Sequence, residues 1–528
     1  MHTKNLLSPL LILLSVFSLG QKSNTMNFNV KKYKTQTLEY QGKKFKVRAY
    51  ENIIYVKNPV DTAYQKMNIY IPEAYFKGKT INGYSTKTAP IFFPNKVGGY
   101  MPAKPASTQD QPMGMMPPLN GQMPPMGEKP PMSMNGQRPT MMNGEKPPMG
   151  MEGQKPPMNE AAKKPLTVVA ALSKGYVVAS AGARGRTLKD DSGVYTGKAP
   201  AGIVDLKAAI RYLKYFDNNM PGDATKIVSN GTSAGGAMST LLGATGDNAD
   251  YEPYLKALGA MPESDAIFAV SAYCPITNLE NADMAYEWQF NGVNSYKKGF
   301  PMGSNSAQNL TEEQIKVSKQ LKDLFPTYLN SLKLKNAQGE ILSLNAAGNG
   351  NFKEWVKSYV KSSAQNALDK GTDMSKYSFL TIENKKVTDI NFDAYVQYME
   401  RQKTPPAFDA LDLSSGENML FGDSQIDKKH FTNFSVTQTS DKSQADAQIV
   451  KMMNPMNYIG TANTKTAKYW RVRHGSKDKD TGLAISVMLS TALQNKGYNV
   501  DFALPWDKPH SGDYDLDELF QWIDSICK

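Results

Sequence analysis

Ile227-Val-Ser-Asn-Gly-Thr-Ser-Ala-Gly-Gly236 is the stretch on which the fold turns. A short apolar run, Ile227-Val-Ser229, reads as a strand, a helix starts near Ala234, and Gly231-Thr-Ser-Ala-Gly235 lies at the join. G-x-S-x-G alone arises by chance in glycine-rich chains. Between a strand and a helix it predicts a tight turn that holds Ser233 in a strained, exposed conformation. Gly231 and Gly235 permit the close approach of strand and helix. The same turn aims the Ala234 N–H and the helix N-terminus at the place where an oxyanion would form.

Outward from this turn the chain alternates strands and helices. Pro90-Ile-Phe-Phe-Pro94 reads as a short buried strand, 166–174 as a helix, and 176–180 as a strand. Residues 203–216 form a helix with Ile203, Leu206, Ile210 and Leu213 on one face. This rhythm implies an α/β fold with a parallel sheet and helices on both faces. From about residue 274 to 455 the rhythm changes: 311–334, 352–368 and 392–403 read as helices with few strands between them. A large, mainly helical inserted lid domain is expected there. The sheet resumes at 468–473, followed by a helix at 483–496, a strand at 499–503 and a last helix at 515–526. The sheet-bearing core would comprise 21–273 and 456–528.

Two segments stand apart. Residues 1–20 read as a signal peptide: His2 and Lys4, an apolar run from Leu6 to Leu19, then the small residues of Ser18-Leu-Gly20. The run is too short for a membrane span, and Gln21 stands where a lipoprotein needs Cys, so export to the periplasm or beyond is expected. Residues 103–164 carry the repeat Gly127-Glu-Lys-Pro-Pro-Met132, repeated at Gly144–Met149 and nearly copied at Gly153–Met158. Lacking aromatic and almost all β-branched residues, this insert is expected to be disordered. Methionine thioethers suit Cu(I), but a replicated low-complexity loop without a ligand is the preferred reading.

The 528 residues are 40% hydrophobic and 21% charged, ordinary for a globular protein. The net charge of +12 is spread without blocks of like charge, which argues against a nucleic-acid partner. The two cysteines, Cys274 and Cys527, could pair or remain buried thiols. No metal or cofactor is expected.

A serine hydroxyl needs a base. Of four histidines, His510 follows the last strand, as the hydrolase order of Ser, acid, then His requires. His474 ends a strand and reads as locally bonded. The acid should follow the strand at 468–473, where Asp478 and Asp480 are both available and face different ways. One can orient His510 while the other faces the substrate. Asp507, on the His510 loop, reads as a solvated turn residue. Gly98 and Gly99, shortly after the strand at 90–94, are placed to supply the second oxyanion donor.

With these residues in place, the chain resembles the bacterial tannases of the α/β-hydrolase superfamily. The likeness is carried by Val97-Gly-Gly-Tyr-Met-Pro102, Ser180-Ala-Gly-Ala-Arg-Gly-Arg186, Gly231–Gly236, and Asp283-Met-Ala-Tyr-Glu-Trp-Gln-Phe-Asn-Gly292. Arg473-His-Gly-Ser-Lys-Asp-Lys-Asp-Thr481 and Phe502-Ala-Leu-Pro-Trp-Asp-Lys-Pro-His-Ser-Gly-Asp-Tyr-Asp515 extend it. The resemblance implies hydrolysis of galloyl esters to gallate through Ser233, Asp478 and His510. It also implies that Lys403, Glu417 and Asp480 bind the phenolic hydroxyls of a small galloyl ester; no nucleic-acid partner or membrane span is expected, and the oligomeric state is left open. The insert departs from the compact family pattern. Other readings are an esterase for feruloyl or other phenolic esters and, from another class, a non-catalytic protein whose Met-rich arm binds copper.

Overall fold

In the computed structural model, residues 26–109, 166–297 and 306–528 are described. The expected signal peptide and nearly all of the expected insert fall outside them.

A nine-stranded sheet runs through the molecule, its strands lying side by side in the order Lys34–Tyr40, Lys43–Ile54, Lys66–Pro72, Val177–Ala181, Pro90–Pro94, Asp223–Thr232, Ala269–Tyr273, Tyr469–Arg473 and Asn499–Ala503. Its parallel part consists of β4 (Pro90–Pro94), β5 (Val177–Ala181), β6 (Asp223–Thr232), β7 (Ala269–Tyr273), β12 (Tyr469–Arg473) and β13 (Asn499–Ala503). The βα rhythm led to the expectation of a parallel sheet, and the observed sheet departs from it at one end. β1 (Lys34–Tyr40), β2 (Lys43–Ile54) and β3 (Lys66–Pro72) form an antiparallel meander that joins the edge of β5. This region lacks the intervening helices that parallel pairing needs, so neighbouring strands turn back on one another.

Burial follows from pattern. β4 and β5 are buried along their whole length, as strands covered on both faces must be. The crossovers pass through α1 (Thr167–Ser173), α2 (Ala201–Tyr215), α3 (Ala234–Ala244) and α12 (Leu483–Asn495). All eleven residues of α3 are buried, which fits its small and apolar sequence. The terminal helix α13 (Leu516–Cys527) buries Leu516, Leu519, Phe520, Ile523 and Cys527 at helical spacing. Phe520 meets Phe92 of β4 edge-on, with ring centres 5.9 Å apart.

The chain between β7 and β12 is mostly helical. α5 (Leu279–Phe290) packs along α6 (Glu312–Ser331), which opens with a capping box between Thr311 and Gln314. α7 (Asn351–Asp369) and α8 (Phe392–Met399) follow. Trp288 of α5 collects Phe325, Phe352 and Phe392 around it, one ring from each of these three helices.

Helix α8 stops at Met399, short of the expected 403. Glu400 takes a left-handed φ of 61°, and Pro405-Pro406 blocks resumption of the helix. Arg401 turns inward instead and pairs with Glu287 of α5, both side chains being fully buried. Lys403 therefore sits on a loop. Glu287→Ala would leave the Arg401 guanidinium buried without its partner. The expected loss of stability is about 3–5 kcal/mol, read from the midpoint of urea unfolding.

Candidate active site

The direction of strand succession reverses between β4 and β6. The chain leaves β4 for β5 on one side and returns to β6 on the other. The loops after these two strands border the crevice at which open α/β sheets bind ligands. One carries Gly98 and Gly99; the other is the serine turn.

Ser233 caps α3 with φ 61° and ψ −125°, a conformation that a non-glycine residue adopts only when its surroundings impose it. They do so here: the Ser233 N–H donates to the Tyr273 carbonyl at 2.9 Å. A side chain at Gly231 would stand 2.3 Å from the Gly235 carbonyl oxygen. One at Gly235 would stand 2.8 Å from the Val97 carbonyl, so the Gly98-Gly99 loop lies directly against the turn. Asn95 ties the two together, its amide donating to the Gly235 carbonyl at 3.0 Å and to Ser239 Oγ at 2.9 Å. Gly98 and Gly99 are exposed, with open space where a side chain would stand. Ala234 is fully buried as the first residue of α3.

Two further loops meet beside this turn. The segment after β12 is zipped to the segment after β13 by the Ser476 N–H on the Pro505 carbonyl, 3.0 Å, and the Lys477 N–H on the Lys508 carbonyl, 3.0 Å. Gly475 permits the approach, since a side chain there would meet the Lys508 carbonyl at 2.2 Å. The pairing brings His510 Nδ1 to 2.8 Å from Asp478 Oδ2. The His510 loop is in turn fastened to β6: Gly512 lies against the Thr232 side chain, and Asp513 accepts from Asn230 Nδ2 at 3.0 Å. His510 Nε2 is buried and has no hydrogen-bond partner among the described residues.

Electrostatics follow from this geometry. Burial disfavours charge on Asp478, yet His510 and His474 outweigh it and hold the carboxyl well below the usual carboxylate range. Burial pulls His510 down, but the Asp478 carboxylate raises it well above its ordinary 6.5. Asp478 Oδ1 also accepts the Asp480 N–H at 2.9 Å. Cys274, Asp478 and His510 have ligand-type atoms within 4.8 Å of one another. Burial, with the Asp478 charge, pushes the Cys274 thiol up to about 11, so it stays neutral near pH 7. Both cysteines are free.

Asp480 faces the other way. Its carboxylate accepts Lys403 Nζ at 3.1 Å and Gln402 Nε2 at 2.9 Å. Lys403 Nζ lies 4.0 Å from the centre of the Phe408 ring. Burial lowers the ammonium, but Asp480 and Glu417 reverse the sign and raise it. Glu417, in α9 (Gly416–Leu420), is pushed up by burial against the opposing pull of Lys403.

Sequence reasoning passed over several supports. Arg186 Nε donates to the Gly99 carbonyl at 2.8 Å, bridging the glycine loop to the lid through Met419. Asp283 accepts the Phe408 and Asp409 N–H groups, while Asp409 accepts from Asn418 and His430. Both motif segments were visible, but nothing in them named a partner so distant in the chain. Asp507 is not a solvated turn residue: Tyr398 donates to it at 2.5 Å and Tyr377 at 3.2 Å, fastening the lid to the His510 loop. His474 has a partner beyond its neighbourhood as well as one within it. Its Nδ1 meets Ser486 Oγ at 2.8 Å, and its Nε2 lies 3.6 Å from Asp478 Oδ2.

A strained serine at the switch point of a mixed nine-stranded sheet, under a helical lid, defines an ester hydrolase of the α/β-hydrolase fold. Residues 151–320 match the family model described as BD-FAE. The chain is similar to the Fusobacterium nucleatum tannase, at 49% identity and a TM-score of 0.82, over 95% of this chain and 99% of that one. It is also similar to the native tannin acyl hydrolase from Lactobacillus plantarum, at 44% identity and a TM-score of 0.82, over 95% and 98% of the two chains. A tannin acyl hydrolase in complex with ethyl gallate matches with the same figures. No curated protein matches the chain. At such identity over almost the whole length, the chain belongs to the bacterial tannase family.

A histidine can take up a proton only when neutral, and Asp478 keeps His510 charged to higher pH than usual, which bears on activity through the expectation that His510 is the base. Esterase activity is therefore expected to fall as pH drops, with an apparent pKa above 6.5 in the profile of kcat/KM. Gly235→Ala, which drives a methyl group to 2.8 Å from the Val97 carbonyl, is expected to abolish activity with p-nitrophenyl acetate.

Proposed function

We propose that this enzyme hydrolyses galloyl esters and depsides of tannins, releasing gallate through an acyl-enzyme on Ser233. The observation that carries the reading is the divergence of two carboxylates two residues apart. Asp478 meets His510, and Asp480 meets Lys403. The first pair belongs to acyl transfer and the second to recognition of a polyphenol ring.

In this mechanism His510 Nε2 takes the Ser233 hydroxyl proton as Oγ attacks the galloyl carbonyl carbon. The N–H groups of Ala234 and of Gly98 or Gly99 hold the tetrahedral oxyanion. As the intermediate collapses, the ester C–O bond breaks and His510 returns the proton to the leaving alcohol. Water, deprotonated by the same imidazole, then attacks the acyl-enzyme and frees gallate. Asp478 holds the ring in the Nδ1–H tautomer and balances the imidazolium.

Glu417 and Asp480 would accept phenolic O–H groups, and the Lys403 ammonium would stabilise partial phenolate character. Such a pocket rejects rings that lack the hydroxyls, because its own buried groups would be left unpaired. The relative bound to ethyl gallate supports this ligand class. Residues 1–20 are proposed to direct export, 274–455 to form the lid domain, and the flanking segments to form the catalytic core.

The purified protein is expected to release gallate from methyl gallate, and Ser233→Ala to abolish that release. Lys403→Ala and Asp480→Asn should each cost about 10–100-fold in kcat/KM for methyl gallate, the worth of a charged hydrogen bond. Methyl ferulate, with one hydroxyl replaced by methoxy and another missing, should be a poor substrate. A preference for ferulate in side-by-side assays would refute the pocket assignment.

A further inference from the structure

Asp478 has two imidazoles against it, and the mechanism uses only one. His474 follows β12 directly and has no exposed surface. Its Nδ1 lies 2.8 Å from Ser486 Oγ, on the buried first turn of α12. Its Nε2 is buried without a hydrogen-bond partner and points at Asp478 Oδ2 from 3.6 Å, the oxygen that His510 also engages.

Burial lowers the affinity of His474 for a second proton, so the ring is neutral and carries one proton on one nitrogen. The position of that proton follows from its neighbours. An unprotonated Nε2 would set a lone pair against a buried carboxylate oxygen, two acceptors with no hydrogen between them. A proton on Nε2 turns the contact into an attraction and leaves Nδ1 to accept the Ser486 hydroxyl proton. The groups facing the ring are Asp478, His510, Asp480 and the Thr481 backbone, with Cys274 beyond Asp478. The Asp478 carboxylate on that side favours the Nε2–H tautomer.

We infer that His474 is a positioning residue for the catalytic acid, held by Ser486 as the Nε2–H tautomer and serving as a second imidazole donor to Asp478 Oδ2. This rests on the triad reading above. The separation of 3.6 Å exceeds a hydrogen bond, and such contacts are commonly long without ligand and close in the reacting complex. His474 touches neither the ester nor Ser233. It acts by sharing negative charge that His510 otherwise meets as the one imidazole, beside the Asp480 and Thr481 N–H groups and the Cys274 thiol, which keeps His510 from holding its proton too tightly. Ser486, His474, Asp478, His510 and Ser233 then form one continuous relay.

The test measures the rate at which a fluorophosphonate labels Ser233 across pH 5–9 (roughly the span over which histidine titrates) in the parent, His474→Phe, His474→Gln and Ser486→Ala. In His474→Phe the acid limb is expected about one unit higher, with labelling at pH 7 about tenfold slower. The kcat for methyl gallate should fall in parallel while KM holds. His474→Gln, whose amide can still donate to Asp478, should recover most of the shift. Ser486→Ala, which frees the tautomer, should show a smaller shift in the same direction. Thermal unfolding establishes that each variant is folded; if His474→Phe is not, the limbs of the other two decide. A folded His474→Phe or Ser486→Ala whose limb coincides with the parent's overturns the proposal. Labelling needs no galloyl ester. A parent that labels but leaves methyl gallate intact would refute the substrate reading, and a shifted limb would still support the role of His474.

Discussion

A carboxylate with no exposed surface must be met by donors or lose its charge, and Asp478 imposes that condition on the site around it. Its partners converge from several elements: His510 from the loop after β13, the Asp480 and Thr481 N–H groups from its own turn, His474 from the end of β12, and the Cys274 thiol from the end of β7. Keeping them in place requires the two loops to be zipped together and the His510 loop to be fastened to β6. The backbone bonds from Ser476 and Lys477, and the Asn230–Asp513 bond, do this. The strained turn at Ser233 supplies the fixed point against which these loops are set.

The lid is joined to this centre by polar rather than purely apolar contacts. Arg401 and Glu287 hold the chain after α8 against α5, so Lys403 can reach Asp480. Asp283 and Asp409 fix the backbone between Lys403 and Glu417, with Asn418 and His430 completing the network. Burial and the neighbouring Asp409 push Asp283 up to about 8. A lid seated this way gives Lys403 and Asp480 the same rigidity that the sheet gives Asp478 and His510.

Local pattern made much of this legible. Hydrophobic periodicity gave α2, α6 and α7 to within a few residues, since each buries one face against the core and the spacing records it. The glycine pattern around Ser233 specified its turn, because few other residues can pack there. Helix α8 came out too long: Glu400-Arg-Gln-Lys403 are good helix formers with no breaker before Pro405, while the inward turn of Arg401 depends on a buried glutamate more than a hundred residues away. The N-terminal meander went unread, as did the hydrogen bonds of Asp507 and His474.

The sequence by itself determined the serine turn, the alternation that builds the parallel half of the sheet, and the late position of His510, all properties of short windows. The residue pattern left Asp478 and Asp480 both open and only the family resemblance favoured Asp478; the tertiary structure places Asp478 against His510, pairs Asp480 with Lys403, and sets a second imidazole behind Asp478. Those outcomes depend on which loops are brought together across the sheet edge. Chain spacing carries no record of that, because the groups involved are drawn together by buried charge and long-range packing rather than by their neighbours in the chain.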